Sequence, residues 1–277
     1  MIRGLYTAAS GMLLGLRQQD VTAANISNAS TVGYKADQSA QTAFGGVLAK
    51  RTSASGSPAP VPGTQGRLIG RVGTGTYIAT VRTDISQGPE RETGGTFDLM
   101  LRGAGFFVVQ TDQGVRYSRD GHFDRNETNQ LVTADGSLVL DSEGAPIVVD
   151  TERVRIKSDG SIFRLVPEEV ANDNGSRSMI LKEQFIARLG VVTLDAADLS
   201  RAGASRFSVA EGATVTPVDF SEGATTILQG VLEEANVNIG QTATRMFSLS
   251  RTFEASQRVF STINESLERA VRDVGRV

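Results

Sequence analysis

Both ends of this chain carry an apolar seam with the spacing of a packed helix, and the stretch between them does not. Near the C-terminus, Ile239, Met246, Phe253, Phe260, Leu267 and Val274 recur every seven residues. Thr242, Leu249, Ser256, Ile263 and Ala270 each follow three residues later. Near the N-terminus, Ile2, Leu5, Ala9, Met12, Leu16, Gln19, Ala23 and Ile26 keep the same alternating three-four spacing. A helix needs such a stripe to bury one face against a partner helix. Helical ends around a different middle point to assembly through the termini rather than chemistry in a pocket.

The first seam predicts a helix from Ile2 to about Ser27. Gly4, Gly11 and Gly15 weaken it by roughly 1 kcal/mol each relative to alanine, so it is marginal alone and needs packing. The plain reading of these glycines is close approach of two helices; the sharper one is a segment that stays unfolded before assembly. The second seam predicts a helix from about Asn238 to Val274, with no glycine or proline between Gln241 and Val274. Its other face, with Arg245, Arg251, Glu254, Arg258, Glu265, Glu268, Arg269 and Arg272, reads as solvated or as a rim. The N-terminal helix is its obvious intramolecular partner, which leaves the outer faces for neighbours.

Asn25 to Lys35 ends the first helix: Asn28 and Gly33 can take positive φ, and Ser30 and Thr31 compete for backbone hydrogen bonds. A stretch rich in Gly, Ser, Pro and Thr follows over about 45–76, a linker or a functional loop. From about Thr76 to Gln229 the chain reads as strands, with β-rich runs at Tyr77–Val81, Phe106–Val109 and Leu138–Leu140. Asp135-Gly136 and Asp159-Gly160 lie between such runs and predict hairpins with type I′ turns. Many strands without a long helix between them predict an antiparallel arrangement. The fold class expected is therefore α+β with a mainly β middle. Residues 1–35 with 236–277 form a helical coiled-coil core, 36–76 an extended linker or loop, and 77–235 the β-rich domain.

The chemical signals are weak. The 277 residues hold 28 basic against 31 acidic side chains, a net charge of −3, which argues against a nucleic-acid binder. Cysteine is absent, so no disulfide, thiolate nucleophile or zinc–cysteine site forms. No apolar run reaches the roughly 20 residues of a membrane span. Thr7, Ser10, Gly11 and Gly15 interrupt the N-terminal apolar stretch, which reads as an amphipathic helix and not a cleaved leader. His122 is the single histidine and reads as a surface or strand residue. A hydrolase using it with Asp120 and Asp124 lacks a nucleophile elbow. The Asp124–Asp135 stretch is a poor calcium loop, with Asn129 where glycine is required. Glu168-Glu169 and Glu233-Glu234 are adjacent carboxylates that point apart. Gly73-Thr74-Gly75 and Gly103-Ala104-Gly105 open no helix. No enzyme, cofactor or metal is expected.

Three segments resemble one family. The sequence NISNASTVGYK at 25–35, after its helix, is similar to the N-terminal signature of bacterial flagellar axial proteins. Residues 94–136 resemble the central signature of rod and hook proteins, with Phe97-Asp98-Leu99, Gly105-Phe106-Phe107, Tyr117 to Gly121 and Gln130 to Thr133. GVLEEANVNI at 230–239, followed by Arg251-Thr252-Phe253-Glu254, resembles the closing helix. The matches fall in family order and together span most of the chain, whose length is similar to that of the proximal and distal rod subunits. Within the family, Glu234-Ala235-Asn236 departs where a serine usually precedes the asparagine, and Leu99-Met100-Leu101 replaces smaller residues.

The resemblance implies a structural subunit of the flagellar basal-body rod, the shaft that transmits torque from motor to hook. The alternative post is a hook-type subunit or hook-assembly scaffold. It implies terminal helices packed as an inner coiled-coil layer beneath a projecting β domain. It also implies export without cleavage through the type III apparatus to a rod in the periplasmic region. The partners implied are copies of the chain and other axial proteins. The inner layer expected is Ile2, Leu5, Met12, Leu16 and Ile26 with Met246, Leu249, Phe253, Phe260, Ile263 and Leu267. Asn25, Asn28, Thr31, Gly33 and Tyr34 shape the turn out of it.

Overall fold

The computed structural model describes residues 2–275 apart from 46, 51–67, 74, 172–176, 204, 211, 221–222 and 224. The chain divides into two units, residues 1–24, 37–82 and 240–277 in the first and 25–36 with 83–239 in the second.

The first unit holds α1 (Ile2–Ser27, its last turn passing into the second unit) and α2 (Ile239–Val274), with bounds within a residue of those the seams predict. Its strands are β1 (Asp37–Ala43), β2 (Val47–Lys50), β3 (Leu68–Val72) and β4 (Thr76–Thr83), with β1 beside β4 and β2 antiparallel to β3. The stretch 36–76, expected as linker or loop, thus carries β1, β2 and β3, of which β1 is mostly polar and exposed. Its Gly/Ser/Pro-rich part, 51–67, lies outside the described residues. At 36 residues α2 is about 54 Å long at 1.5 Å per residue.

The helices run past each other in opposite directions. A side chain added at Gly4 would meet Ile263, one at Gly11 would meet Ser256, and one at Gly15 would meet Phe253. The Gln19 amide donates to Ser250 Oγ at 3.1 Å. The positions of α1 set against α2 are therefore the glycines, the close approach that their plain reading predicts, together with Gln19 of the seam. Glycines let two helix axes approach more closely than leucines do, because interaxial distance follows the side chains at the contact.

The second unit is built of strands. They are β5 (Glu90–Glu92), β6 (Leu99–Arg102), β7 (Phe106–Thr111), β8 (Gly114–Ser118), β9 (Phe123–Arg125), β10 (Leu131–Thr133), β11 (Leu138–Val139) and β12 (Val154–Ile156). After these come β13 (Ser161–Ala171), β14 (Arg177–Arg188), β15 (Val191–Thr193), β16 (Leu199–Arg201), β17 (Arg206–Val209), β18 (Thr216–Pro217), β19 (Thr226–Gln229) and β20 (Val231–Glu233). The main sheet runs β16-β17-β8-β7-β11-β10-β9, with β15 between β7 and β18. A second sheet runs β12-β13-β14, and β19 pairs β6 while β20 pairs β5. Every one of these strand pairs in the second unit is antiparallel, including β19 with β6 and β20 with β5, which lie far apart in sequence. The core gathers Leu99, Leu101, Phe107, Phe123, Leu131 and Ile162, with Phe107 and Phe123 edge to face at 5.1 Å.

Hairpin turns fall at both predicted Asp-Gly pairs, but they are not type I′. Gly136 has φ +84° and Gly160 φ +79°, while neither aspartate has positive φ. Thr133 N–H donates to Ser137 O and Gly136 N–H to Thr133 O, which makes a three-residue loop closed by a left-handed glycine. Lys157–Ser161 repeats it, and so does Asp141–Ala145 around Gly144, a turn the sequence reading did not mark. In the first two turns Asp135 Oδ2 and Asp159 Oδ2 also accept from the hydroxyls of Ser137 and Ser161, which fixes each aspartate within its loop.

Candidate functional site

The turn that ends α1 folds on its own polar side chains. Thr31 N–H donates to Asn28 O at 3.0 Å, and Tyr34, fully buried, donates its hydroxyl to Asn25 Oδ1 at 2.9 Å. Gly33 has φ +66°, and any β-carbon there would collide with the backbone of Arg119 and Asp120. Asn28, also expected to take positive φ, does not; among the described non-glycine residues only Asn129 does. Asn28 serves instead as acceptor, its carbonyl taking the Thr31 N–H and its Oδ1 the Thr31 hydroxyl at 3.4 Å.

Beneath this turn lies a buried group of charges. Lys35 Nζ donates to Glu233 Oε1 at 2.6 Å and to Ser86 O at 2.7 Å. Arg119 Nη1 approaches Glu233 Oε2 at 3.3 Å and donates to Leu101 O at 2.9 Å. All three side chains are shielded from solvent. Burial pushes the Lys35 ammonium below its ordinary range against the pull of Glu233, and burial lowers the Arg119 guanidinium as well. Two cations around one carboxylate are stable only while all are present, because a buried charge that loses its partner is strongly unfavourable. The sequence reading rightly had Glu233 and Glu234 pointing apart, since Glu234 pairs with Arg91 at the surface. It did not find the cluster, because its members are 84 and 114 residues apart.

On α2 the least exposed stripe is the predicted one: Leu249, Phe253, Phe260, Ile263 and Leu267 are half-buried, while Met246 lies at the exposed limit. On α1, Leu5, Met12 and Ile26 are half-buried, Leu16 is 43% exposed, and the Ile2 side chain lies outside the described residues. Several large apolar side chains face outward, among them Tyr6 at 68%, Leu13 at 66% and Phe247 at 71% exposed. Leu13, Leu14 and Val21 line a groove of about 470 Å³ with Phe44, Tyr77 and Val81. Phe44 and Tyr77 stack there at 5.0 Å.

The chemical candidates are accounted for by local bonding. His122 Nδ1 lies 2.7 Å from Asp98 Oδ1, and its backbone N–H donates to Asp120 Oδ1 at 3.0 Å. Burial raises the Asp120 carboxyl above its ordinary value. The Asp124–Gln130 loop closes on Asn126, whose Oδ1 accepts from the backbone of Thr128 and Gln130. Among the described residues no group of three or more histidines and carboxylates is placed to hold a metal ion, and no helix is long and apolar enough to cross a membrane.

Known proteins match this chain over both units. Residues 5–35 match the family described as Flagella basal body rod protein. Residues 100–164 match the Flagellar hook protein FlgE/F/G D1 domain, and 228–273 match the Flagellar basal body rod FlgEFG protein C-terminal family. The flagellar hook-basal body complex protein FlhO of Bacillus subtilis is 32% identical, with all of each chain covered. The basal-body rod protein FlgG of the same organism is 31% identical over 98% of each chain. FlgF of Caulobacter vibrioides is 30% identical over the whole of both.

Proposed function

This chain belongs to the flagellar basal-body rod protein family, and from that premise we propose that it polymerises through its terminal helices into a helical, torque-transmitting shaft. It is a structural subunit of the flagellar basal body, like the rod proteins it matches. In this reading 1–35 with 236–277 form the coiled-coil inner core, 77–235 projects, and 36–76 orders against neighbouring subunits. The partners are further copies and other rod and hook subunits. Repetition of one heterologous contact that does not close builds a tube.

The observation that carries the reading is the outward apolar surface of the helix pair: Tyr6, Leu13 and Phe247 are more exposed than a lone globule favours. These residues support a contact made between chains. So do Leu5, Met12, Leu16, Ile26, Met246, Leu249, Phe253, Phe260, Ile263 and Leu267, none of which is fully buried within one chain. Weak helices of this kind order on assembly, which suits a chain threaded unfolded through the type III export apparatus towards the periplasmic rod.

The test is a Leu13→Ser, Phe247→Ser double variant in cells lacking the natural chain. The expected result is lost motility and absence of the chain from isolated basal bodies, with an unchanged melting temperature of the purified monomer. Normal motility and incorporation would refute the reading.

A further inference from the structure

We infer that Glu233 and Asn236 form a latch that gathers the chain exits of the β unit and opens as one piece while the β core stays folded. This goes beyond polymerisation and is tested on the isolated chain, so it stands or falls independently of that reading.

Three segments distant in sequence meet at the latch: 33–36 after α1, 84–88 after β4, and 233–236 before α2. Each lies within a few residues of a boundary of the second unit, at 36/37, 82/83 and 239/240. Glu233 holds them with both its backbone and its side chain. Its carbonyl accepts from Gly33 N–H at 2.8 Å, and Oε1 accepts from Gly88 N–H at 2.8 Å as well as from Lys35. Asn236 closes the other end of the same seam. Its Oδ1 accepts from Ala36 N–H at 2.7 Å, and its Nδ2 donates to Asp84 O at 2.8 Å and Ser86 O at 3.1 Å. Arg201 adds a third tie, with Nη2 donating to Lys35 O at 2.6 Å and its guanidinium over the Tyr34 ring.

Two features make the latch a unit distinct from the core. First, neither hydrophobic cluster includes a residue of 25–36, 83–88 or 233–239; the segments are joined by the polar bonds above, with Tyr34 and Ala235 as their buried apolar side chains. Secondly, those bonds depend on one another. Removing the 233–236 segment would leave the Lys35 and Arg119 charges without their carboxylate, and moving the Lys35 segment would leave Glu233 with one cation, Arg119, beside the Gly88 N–H. Gly88 lies directly against Glu234 O, with no room for a β-carbon, so the two segments are in close contact at that point. Cooperative local opening below the global unfolding free energy is the expected behaviour of such an element.

Amide hydrogen exchange of the purified chain tests this with two variants. Asn236→Ala removes no bond to Gly33 or Gly88. It should nevertheless speed exchange at both amides, as well as at Ala36, by about tenfold or more, the ratio for some 1.4 kcal/mol of opening free energy. Amides of β7 and β11 should keep their protection. Glu233→Gln should in turn speed exchange at Ala36, which Glu233 does not touch. Faster exchange confined to the direct partners of each altered side chain would overturn the latch, since the bonds would then be independent. Equal acceleration in β7 and β11 would overturn it too, since the segments would then be part of the core.

Discussion

The two units dispose of their apolar residues in opposite ways. In the β unit Leu99, Met100, Phe107, Val139 and Phe207 are wholly shielded from solvent. In α2 no described residue is fully buried, and in α1 the residues that are buried are small or polar: Ala8, Gly15, Thr22 and Asn25. The β unit carries a core of its own, while the helix pair keeps large apolar side chains such as Tyr6, Leu13 and Phe247 exposed. Under the assembly proposed above, stability of the monomer and competence to assemble would rest on different residues, and substitutions separate them.

The largest effect belongs to the core. Phe107→Ala should cost the monomer about 3–5 kcal/mol, read as a lowered denaturation midpoint. A drop of that size from Phe253→Ala, which lies half-exposed on α2, would erase the contrast. Next comes the turn. Gly33→Ala combines an unfavourable left-handed conformation with overpacking against Asp120, on the order of 3 kcal/mol, in chemical denaturation.

The helix pair should respond with the opposite sign. A β-carbon at Gly15 would sit 3.7 Å from Phe253 Cβ, an ordinary contact, so Gly15→Ala should raise helix stability by about 1 kcal/mol. At Gly4 the added carbon would sit 3.0 Å from Ile263 Cδ1, and the gain there should be smaller. Circular dichroism melts of the two variants order them.

The smallest effect is electrostatic. Burial raises the Asp120 carboxyl above the ordinary 3.8, so the folded chain holds that proton more tightly than the unfolded one. Its contribution is fullest in acid and is lost as pH rises through the folded value, which leaves the ionised form a cost at neutral pH. Asp120→Asn keeps an acceptor for the His122 N–H and should raise the melting temperature modestly at pH 7. The gain should shrink as pH falls towards 3.8.

Much of this contrast could be read from residues alone. A seven-residue repeat is local and redundant, so the α2 stripe and both helix limits were legible. Asp135-Gly136 and Asp159-Gly160 located their hairpins, yet the loop length was misjudged. The dipeptide shows where a left-handed residue is affordable, but not that Ser137 and Ser161 would engage the aspartates. On α1 the glycines were legible as points of close helix approach, and Gly4, Gly11 and Gly15 do lie against α2; the seam beside them did not show which of its members would stay exposed, as Leu16 does. The Lys35–Glu233–Arg119 cluster gave no local signal, because a buried ion pair is a relation between distant positions and each member alone resembles a surface charge.

The lengths of the two helices have one more consequence. With Gly4 set against Ile263, the last turns of α2, including Leu267, Ala270 and Val271, run on past the first residue of α1 by about 15 Å at 1.5 Å per residue. At that end of the pair α2 stands without α1 beside it. In the shaft proposed above, repeating one contact of this kind head to tail would give the column two unlike ends.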